Sequence, residues 1–243
     1  MNQSICPTIY VLNIEGLREE ALQIAALSCL TEERRERLEK IKSEQGRLLA
    51  IGAGLLERYI LSKIDYSMEE MHSMEIQKVK KGKPVLFKLN GTGEKVLSAW
   101  QYNLSHSGNY VVAGYTKGNI GIDIQEPRNI VAGFARKVCA VSELTFLDKL
   151  SEKEKNAFLC RLWTVKEAFA KLTGEGLSIG FERYRVDWST GILTDLQNRK
   201  KACFREMDLS GQICEAGYTM SVCTYEKSEL PGKIVFQSVE ELL

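Results

Sequence analysis

The sequence predicts an α+β fold. Helical periodicity comes first and strand patterns follow, once in the first half of the 243-residue chain and again in the second. The strands do not alternate regularly with helices, as a doubly wound parallel sheet would require. A composition of 44% hydrophobic and 27% charged residues is that of an ordinary globular chain. The formal net charge of +1 gives no bulk field for a nucleic acid, so none is expected as a partner. No stretch approaches the ~18 apolar residues of a membrane span, and the N-terminus shows no basic segment leading into a long apolar run. Seven cysteines, an odd number with no Cys-x-x-Cys among them, read as small hydrophobes in a reduced, cytoplasmic setting. With His72 and His106 the only imidazoles, a structural zinc site is not expected.

Along the chain, Ile9–Leu12 is a short apolar run and reads as a strand. Leu17–Leu30 has helical spacing. Thr31 is placed as an N-cap, with Glu32 and Glu33 suited to the positive end of the helix that follows. Arg34, Arg35, Arg37, Lys40 and Lys42 make that helix basic: either a solvated face or a phosphate contact. Gln45–Leu61 is a second, more apolar helix. Glu75–Val79 reads as an edge strand, guarded by Lys78, Lys80 and Lys81. Lys80–Pro84 and Asn90–Gly93 carry turn signals. Tyr110–Tyr115 reads as a buried strand, Lys117-Gly118-Asn119 as a hairpin turn, and Ile120–Gln125 as the returning strand. On that strand Ile120, Ile122 and Ile124 share the core face, and Gly121, Asp123 and Gln125 point the other way. Helices are predicted over Val131–Val138, Ser142–Leu150 and Lys153–Leu172, the last closed by Gly174. Strands are expected over Tyr184–Trp188, Lys201–Glu206, Gln212–Thr224 and Lys233–Gln237.

The chemistry concentrates in the last long helix. Phe158, Leu162, Val165, Phe169 and Leu172 form one apolar face, while Trp163, Glu167 and Lys171 line up on the other at i, i+4, i+8. Lys166 sits at the border. Taken alone, this is an amphipathic helix with a surface pair worth about 0.3 kcal/mol. Asp123 changes that reading. Two carboxylates on different elements, flanked by lysines, suit a hard divalent cation that takes its remaining ligands from water and substrate phosphates. Such equipment serves phosphoryl or pyrophosphate chemistry. Ser105 and His106 do not make a nucleophile–base pair, because neighbours on an extended chain point in opposite directions, and no Gly-x-Ser-x-Gly elbow is present.

Gly121-Ile-Asp-Ile-Gln125, about forty residues before Trp163-Thr-Val-Lys-Glu-Ala-Phe-Ala-Lys171, resembles the paired signature of 4′-phosphopantetheinyl transferases. Leu104-Ser-His-Ser-Gly108 and Gly82-Lys-Pro84 resemble two further motifs of the longer, Sfp-type branch. The resemblance covers roughly residues 30 to 190. It implies a monomer of two similar halves, residues 1–118 and 119–243, each with helices packed on a small antiparallel sheet, and an active site in the cleft between them. It implies transfer of the phosphopantetheine arm from coenzyme A to a serine of an apo acyl- or peptidyl carrier protein, with Mg²⁺ (or Mn²⁺) present and 3′,5′-ADP leaving. Carried over residue by residue, Asp123 and Glu167 match metal ligands, and Glu167 also orients or deprotonates the nucleophile. Lys166 would neutralise or protonate the leaving phosphate and Lys171 would contact the pyrophosphate. Lys83, Ser105 and His106 match positions at the nucleotide end, and Arg34, Arg37 and Arg47 compete for the 3′-phosphate. Gln125 departs from the pattern: many members carry a third carboxylate there, so two carboxylate ligands are expected, with Gln125 behind them or weakly ligating. Residues 128–150, with Phe134 and Phe146, are the expected carrier contact. Two rivals remain open: a non-catalytic module that binds coenzyme A or the carrier, and a Mg²⁺-dependent phosphotransfer enzyme that needs no carrier.

Overall fold

The computed structural model describes residues 7–64, 74–79, 82–128, 133–176, 180–213 and 217–243. His72, Lys80, Lys81 and the first residues of the helix expected over 131–138 lie outside them. In the first half, strand β1 (Thr8–Asn13) leads into helices α1 (Glu20–Ser28), α2 (Glu32–Glu39) and α3 (Glu44–Lys63). Thr31 caps α2 as the sequence indicates, its Oγ1 accepting the Arg34 N–H; at α3 the structure adds Ser43, whose Oγ accepts the Gly46 N–H. Strands β2 (Glu75–Lys78), β3 (Pro84–Leu89) and β4 (Lys95–Leu97) form a small antiparallel sheet of their own. β5 (Trp100–Ser107), β6 (Tyr110–Lys117) and β7 (Ile120–Gln125) follow. In the second half come α4 (Phe134–Val138), α5 (Val141–Leu147) and α6 (Glu152–Thr173). Strands β8 (Tyr184–Asp187), β9 (Ile192–Asp195), β10 (Lys201–Glu206), β11 (Thr219–Thr224) and β12 (Lys233–Gln237) complete the chain.

The main strands form two sheets, ordered β12-β1-β6-β5 and β7-β11-β10-β9-β8. All pairings are antiparallel except β1 with β12. Strand alternation then sorts the side chains into layers. Tyr10, Leu12, Val111, Ala113 and Tyr115 face α3 and join Leu48, Ile51, Leu55 and Ile60 in the first core. The opposite faces carry Ile9, Val11, Tyr110 and Val112. These meet Ile120, Ile122, Ile124, Met220 and Val222 in a second core between the sheets. A third core lies under α6, around Leu162, Val165, Phe169, Tyr184 and Leu193. The order is helix, sheet, sheet, helix, so the two halves share one interior.

The face of β7 opposite the isoleucines, which the sequence leaves open, is covered by α6. Gly121 makes this approach possible: a Cβ there would sit 2.0 Å from the Ala168 carbonyl oxygen and 2.5 Å from the Leu172 nitrogen. The C-terminal segment also departs from the expected division at residue 118. β12 pairs with β1, and Val239 and Leu242 enter the first core, so the chain's end completes the first half. Of the strand expected over Gln212–Thr224, Thr219–Thr224 is formed, and residues 214–216 lie outside the described residues.

Because backbone atoms of α6 occupy the space a Cβ would need, Gly121→Ala must push helix and strand apart. The expected loss is about 3 kcal/mol or more, read as a lower urea midpoint, with the same variant displacing Asp123 from α6.

Candidate active site

The edges of the two main sheets meet at β5 and β7, and the meeting is made by side chains. Asn103 Oδ1, Ser105 Oγ and Ser107 Oγ accept the backbone N–H groups of Ile122, Ile124 and Glu126, at 2.9, 3.4 and 3.0 Å. Asp123 lies inside this junction with 1% of its surface exposed. Its Oδ1 accepts the Ser105 hydroxyl at 2.8 Å and the Lys171 ammonium at 2.7 Å. The same ammonium donates to Ser105 Oγ at 2.7 Å. Asp123 Oδ2 accepts the Gln125 side-chain amide at 2.8 Å, as their shared strand face allows.

Glu167 stands one helical turn before Lys171 and is 7% exposed. Burial first, and then the negative charge of Asp123, push its carboxyl up to about 7; Lys171 and Arg128 pull it back. Glu167, whose ionisation burial and Asp123 oppose, forms with Asp123 an oxygen site that a divalent cation would relieve. No group of three or more His, Cys, Asp or Glu that could hold a metal occurs among the described residues. The donor set is therefore two carboxylates with the Gln125 amide beside them. It fits a hard cation whose other ligands are water and phosphate oxygens.

A cleft of about 270 Å³ opens beside Glu167 and Lys171. Gly82, Lys83, Asn103 and Leu104 wall it from the first half, and Ala170, Gly174 and Gly176 from the second. The Lys83 ammonium reaches across the halves to the Leu172 carbonyl at 2.5 Å. Burial lowers its pKa to about 8. A second cavity of about 510 Å³ lies at the other end of β5, lined by Gln45, Leu49, His106, Gly108, Glu126, Arg128 and Tyr218. His106 thus faces away from Ser105, and burial and Lys171 hold its pKa below the usual imidazole range.

Several predicted site residues are placed elsewhere. Lys166 is fully buried on the far side of α6. Its ammonium donates to Glu143 Oε2 at 2.6 Å, the Val138 carbonyl at 2.6 Å and the Phe181 carbonyl at 3.2 Å. With three donors spent inside the protein, it does not face the cleft, so the expectation that it meets a leaving phosphate is not matched by its position. Arg34 is paired with Glu57, which also accepts the Tyr102 hydroxyl at 2.6 Å. Arg37 pairs with Glu33 on its own helix, and Arg47 is exposed on α3. None of the three arginines is among the walls of either cavity. Gln45, Arg128 and Tyr218 stand there instead. Only Arg128, just past the end of β7, carried a signal that sequence reasoning could have used. Trp163 is packed between the rings of Phe134 and Phe181, each 5.0 Å away, and braces α6.

Comparison with known proteins fixes the family. The model of the 4′-phosphopantetheinyl transferase superfamily matches residues 119–223, and that of the 4′-phosphopantetheinyl transferase N-terminal region matches residues 18–117. The chain belongs to the 4′-phosphopantetheinyl transferase superfamily, in its Sfp-type branch. The two matches abut, one ending at residue 117 and the other beginning at residue 119. The chain is 24% identical to the 4′-phosphopantetheinyl transferase Sfp of Bacillus subtilis (strain 168) over 219 residues, which is 89% of this chain and 91% of that one. It is 28% identical to psf-1 of Bacillus pumilus over 166 residues, 66% of this chain and 67% of the relative. With ffp of Bacillus subtilis the identity is 29% over 144 residues, 58% of this chain and 62% of the relative's length.

Two outcomes follow from the site's electrostatics. In the unfolded chain Glu167 gives up its proton near its ordinary value of 4.5, but in the fold it keeps it to about 7. The folded state therefore binds more protons between these values, and stability falls as pH rises through them. For the ligand-free protein the expected loss from this group is about 3 kcal/mol by pH 8. Urea midpoints across pH 4.5–8 check it, and Glu167→Gln should flatten the curve. Lys166→Met strands Glu143 in the interior and should cost about 3–5 kcal/mol. Adding Glu143→Leu should recover most of that in the same denaturation assay, with the fold of the cleft retained.

Proposed function

We propose that this transferase moves the 4′-phosphopantetheine arm of coenzyme A onto a serine of an apo acyl- or peptidyl carrier protein and releases 3′,5′-ADP. The observation that supports this most is the convergence of Asp123, Glu167, Lys171 and Lys83 at the seam of the two halves. In this reading coenzyme A lies along β5, with its pyrophosphate at Lys83 and Lys171 and its nucleotide end toward His106, while Ser105 stays beneath it on Asp123. Mg²⁺, or Mn²⁺ in its place, held by Asp123 and Glu167 with Gln125 behind them, would supply charge neutralisation at the pyrophosphate.

The chain's own groups do the rest. Lys171 exchanges its bond to Asp123 for one to a phosphate oxygen and meets the charge that grows on the departing 3′,5′-ADP. Lys83, its pKa lowered to about 8 by burial, regains full charge when a diphosphate arrives beside it. Glu167 takes the proton of the attacking serine hydroxyl, directly or through one water. The serine oxygen bonds to the β-phosphorus as the bond from that phosphorus to the departing ADP breaks. Lys166 and Glu143 hold α6 from behind. Phe146 is 49% exposed beside Phe158, and offers the carrier an apolar contact that Phe134, packed on Trp163, does not. In this reading the enzyme works as a monomer in the cytoplasm; among the described residues no helix is long and apolar enough to cross a membrane.

One observation favours a second reading, a non-catalytic module that binds coenzyme A or a carrier. Gln125 stands where a third carboxylate is usual in the family, and its amide nitrogen, not its oxygen, faces Asp123. Intact-mass spectrometry of an apo carrier domain with this protein, coenzyme A and Mg²⁺ separates the two. The expected outcome is a gain of one phosphopantetheine arm, lost on adding a chelator and reduced at least a hundredfold in rate by Glu167→Gln. No gain with several carriers while coenzyme A still binds would decide for the module.

A further inference from the structure

Among the described residues, two buried side-chain polar atoms have no hydrogen-bond partner: Arg183 Nε and Ser221 Oγ. Arg183 spends its other nitrogens on Glu175, Asp195 and Gln197. Ser221 has one polar atom only, and it is fully buried. An unpaired buried hydroxyl costs stability, and alanine in its place would not. Its position is specific. Ser221 is the residue directly opposite Asp123 in the β11–β7 ladder, so both side chains project from the same face toward α6. The neighbouring positions on that face of β11 are already satisfied. Thr219 shares a hydrogen bond of 2.7 Å with Thr164, and the Cys223 thiol reaches the Val165 carbonyl at 3.6 Å. Only the member of the row beside Asp123 is left open.

Asp123 has the complementary problem. Its Oδ1 depends on Lys171 and Ser105. When Lys171 turns to a phosphate, Asp123 loses its charged donor. We propose that Ser221 is a positioning residue of the cation site: its hydroxyl donates to the Asp123 carboxylate, directly or through one water, in the state where Lys171 engages the substrate and a divalent cation is bound. The idle hydroxyl of the ligand-free protein is then a donor held in reserve for the loaded site. This rests on Asp123 and Glu167 holding the cation.

The test is a Mn²⁺ titration followed by electron paramagnetic resonance, with coenzyme A present, on wild type, Ser221→Ala and Asp123→Asn. A parallel urea denaturation is run on the ligand-free proteins. Ser221→Ala is expected to weaken Mn²⁺ binding about tenfold and, in the opposite sense, to raise the urea midpoint of the ligand-free protein. A merely structural hydroxyl would lower that midpoint. Unchanged Mn²⁺ affinity in Ser221→Ala, with affinity lost in Asp123→Asn, overturns the role of Ser221 and leaves the cation site standing. Absence of Mn²⁺ binding in the wild type overturns both.

Discussion

Everything at this site depends on how the edge of β7 is closed. An edge strand presents a row of unpaired backbone donors, and inside a protein these must be met. Here no neighbouring backbone meets them. Asn103, Ser105 and Ser107, at every second position of β5, accept the donors of Ile122, Ile124 and Glu126. Short polar side chains are needed, because each must span the gap between two sheet edges and end in an acceptor. The consequence is chemical as well as structural. Ser105 closes the edge and at the same time donates to Asp123, so the group that joins the halves also orients the central carboxylate. The inter-sheet core of isoleucines and valines supplies the apolar driving force for the same junction, and the hydrogen bonds fix its register.

Helix α6 reads that junction from the other side. Its two cationic residues near the signature look equivalent as a list, but their surroundings divide the work. Lys171, near the C-terminal end, is partly exposed and shares its ammonium between Ser105 and Asp123, where it is free to exchange partners. Lys166, five residues earlier, is fixed by one carboxylate and two carbonyls. Burial lowers its pKa and Glu143 restores part of it. Glu143 also accepts the N–H groups of Ala140 and Val186, so the pair ties α5, α6 and β8 into one block. A rigid block behind the helix is what allows Glu167 to be held against Asp123 despite their repulsion.

The positions of the arginines follow a similar logic. Arg34 was a candidate for a phosphate because it lies on a basic helix. In the fold, that helix packs on α3, and Glu57, which also accepts the Tyr102 hydroxyl, pairs with Arg34. Its sequence neighbourhood carries no sign of Glu57, which is 23 positions away. The walls of the second cavity come from α3, the end of β5 with the β5–β6 turn, the segment after β7 and Tyr218 just before β11, four places that only folding brings together.

The sequence by itself determined the α+β class, the main helices with the Thr31 and Gly174 caps, the alternation on β7, and the shared helix face of Glu167 and Lys171. Each is a local pattern: a period of 2 or 3.6 residues, a capping side chain, or a motif whose members share one element. Strands β3, β4, β5 and β9 were not anticipated, because short or polar strands draw their stability from neighbours rather than from their own alternation. The same reason explains why β5, with Asn103, Ser105 and Ser107 at alternate positions, carries no strand signal of its own. Only the tertiary structure decided that α6 covers the face of Asp123, that Lys166 is sealed by Glu143, that the C-terminal strand returns to β1, and that Ser221 waits beside Asp123 without a partner. All four are contacts between residues distant in sequence, and their direction is set by packing, which no local period encodes.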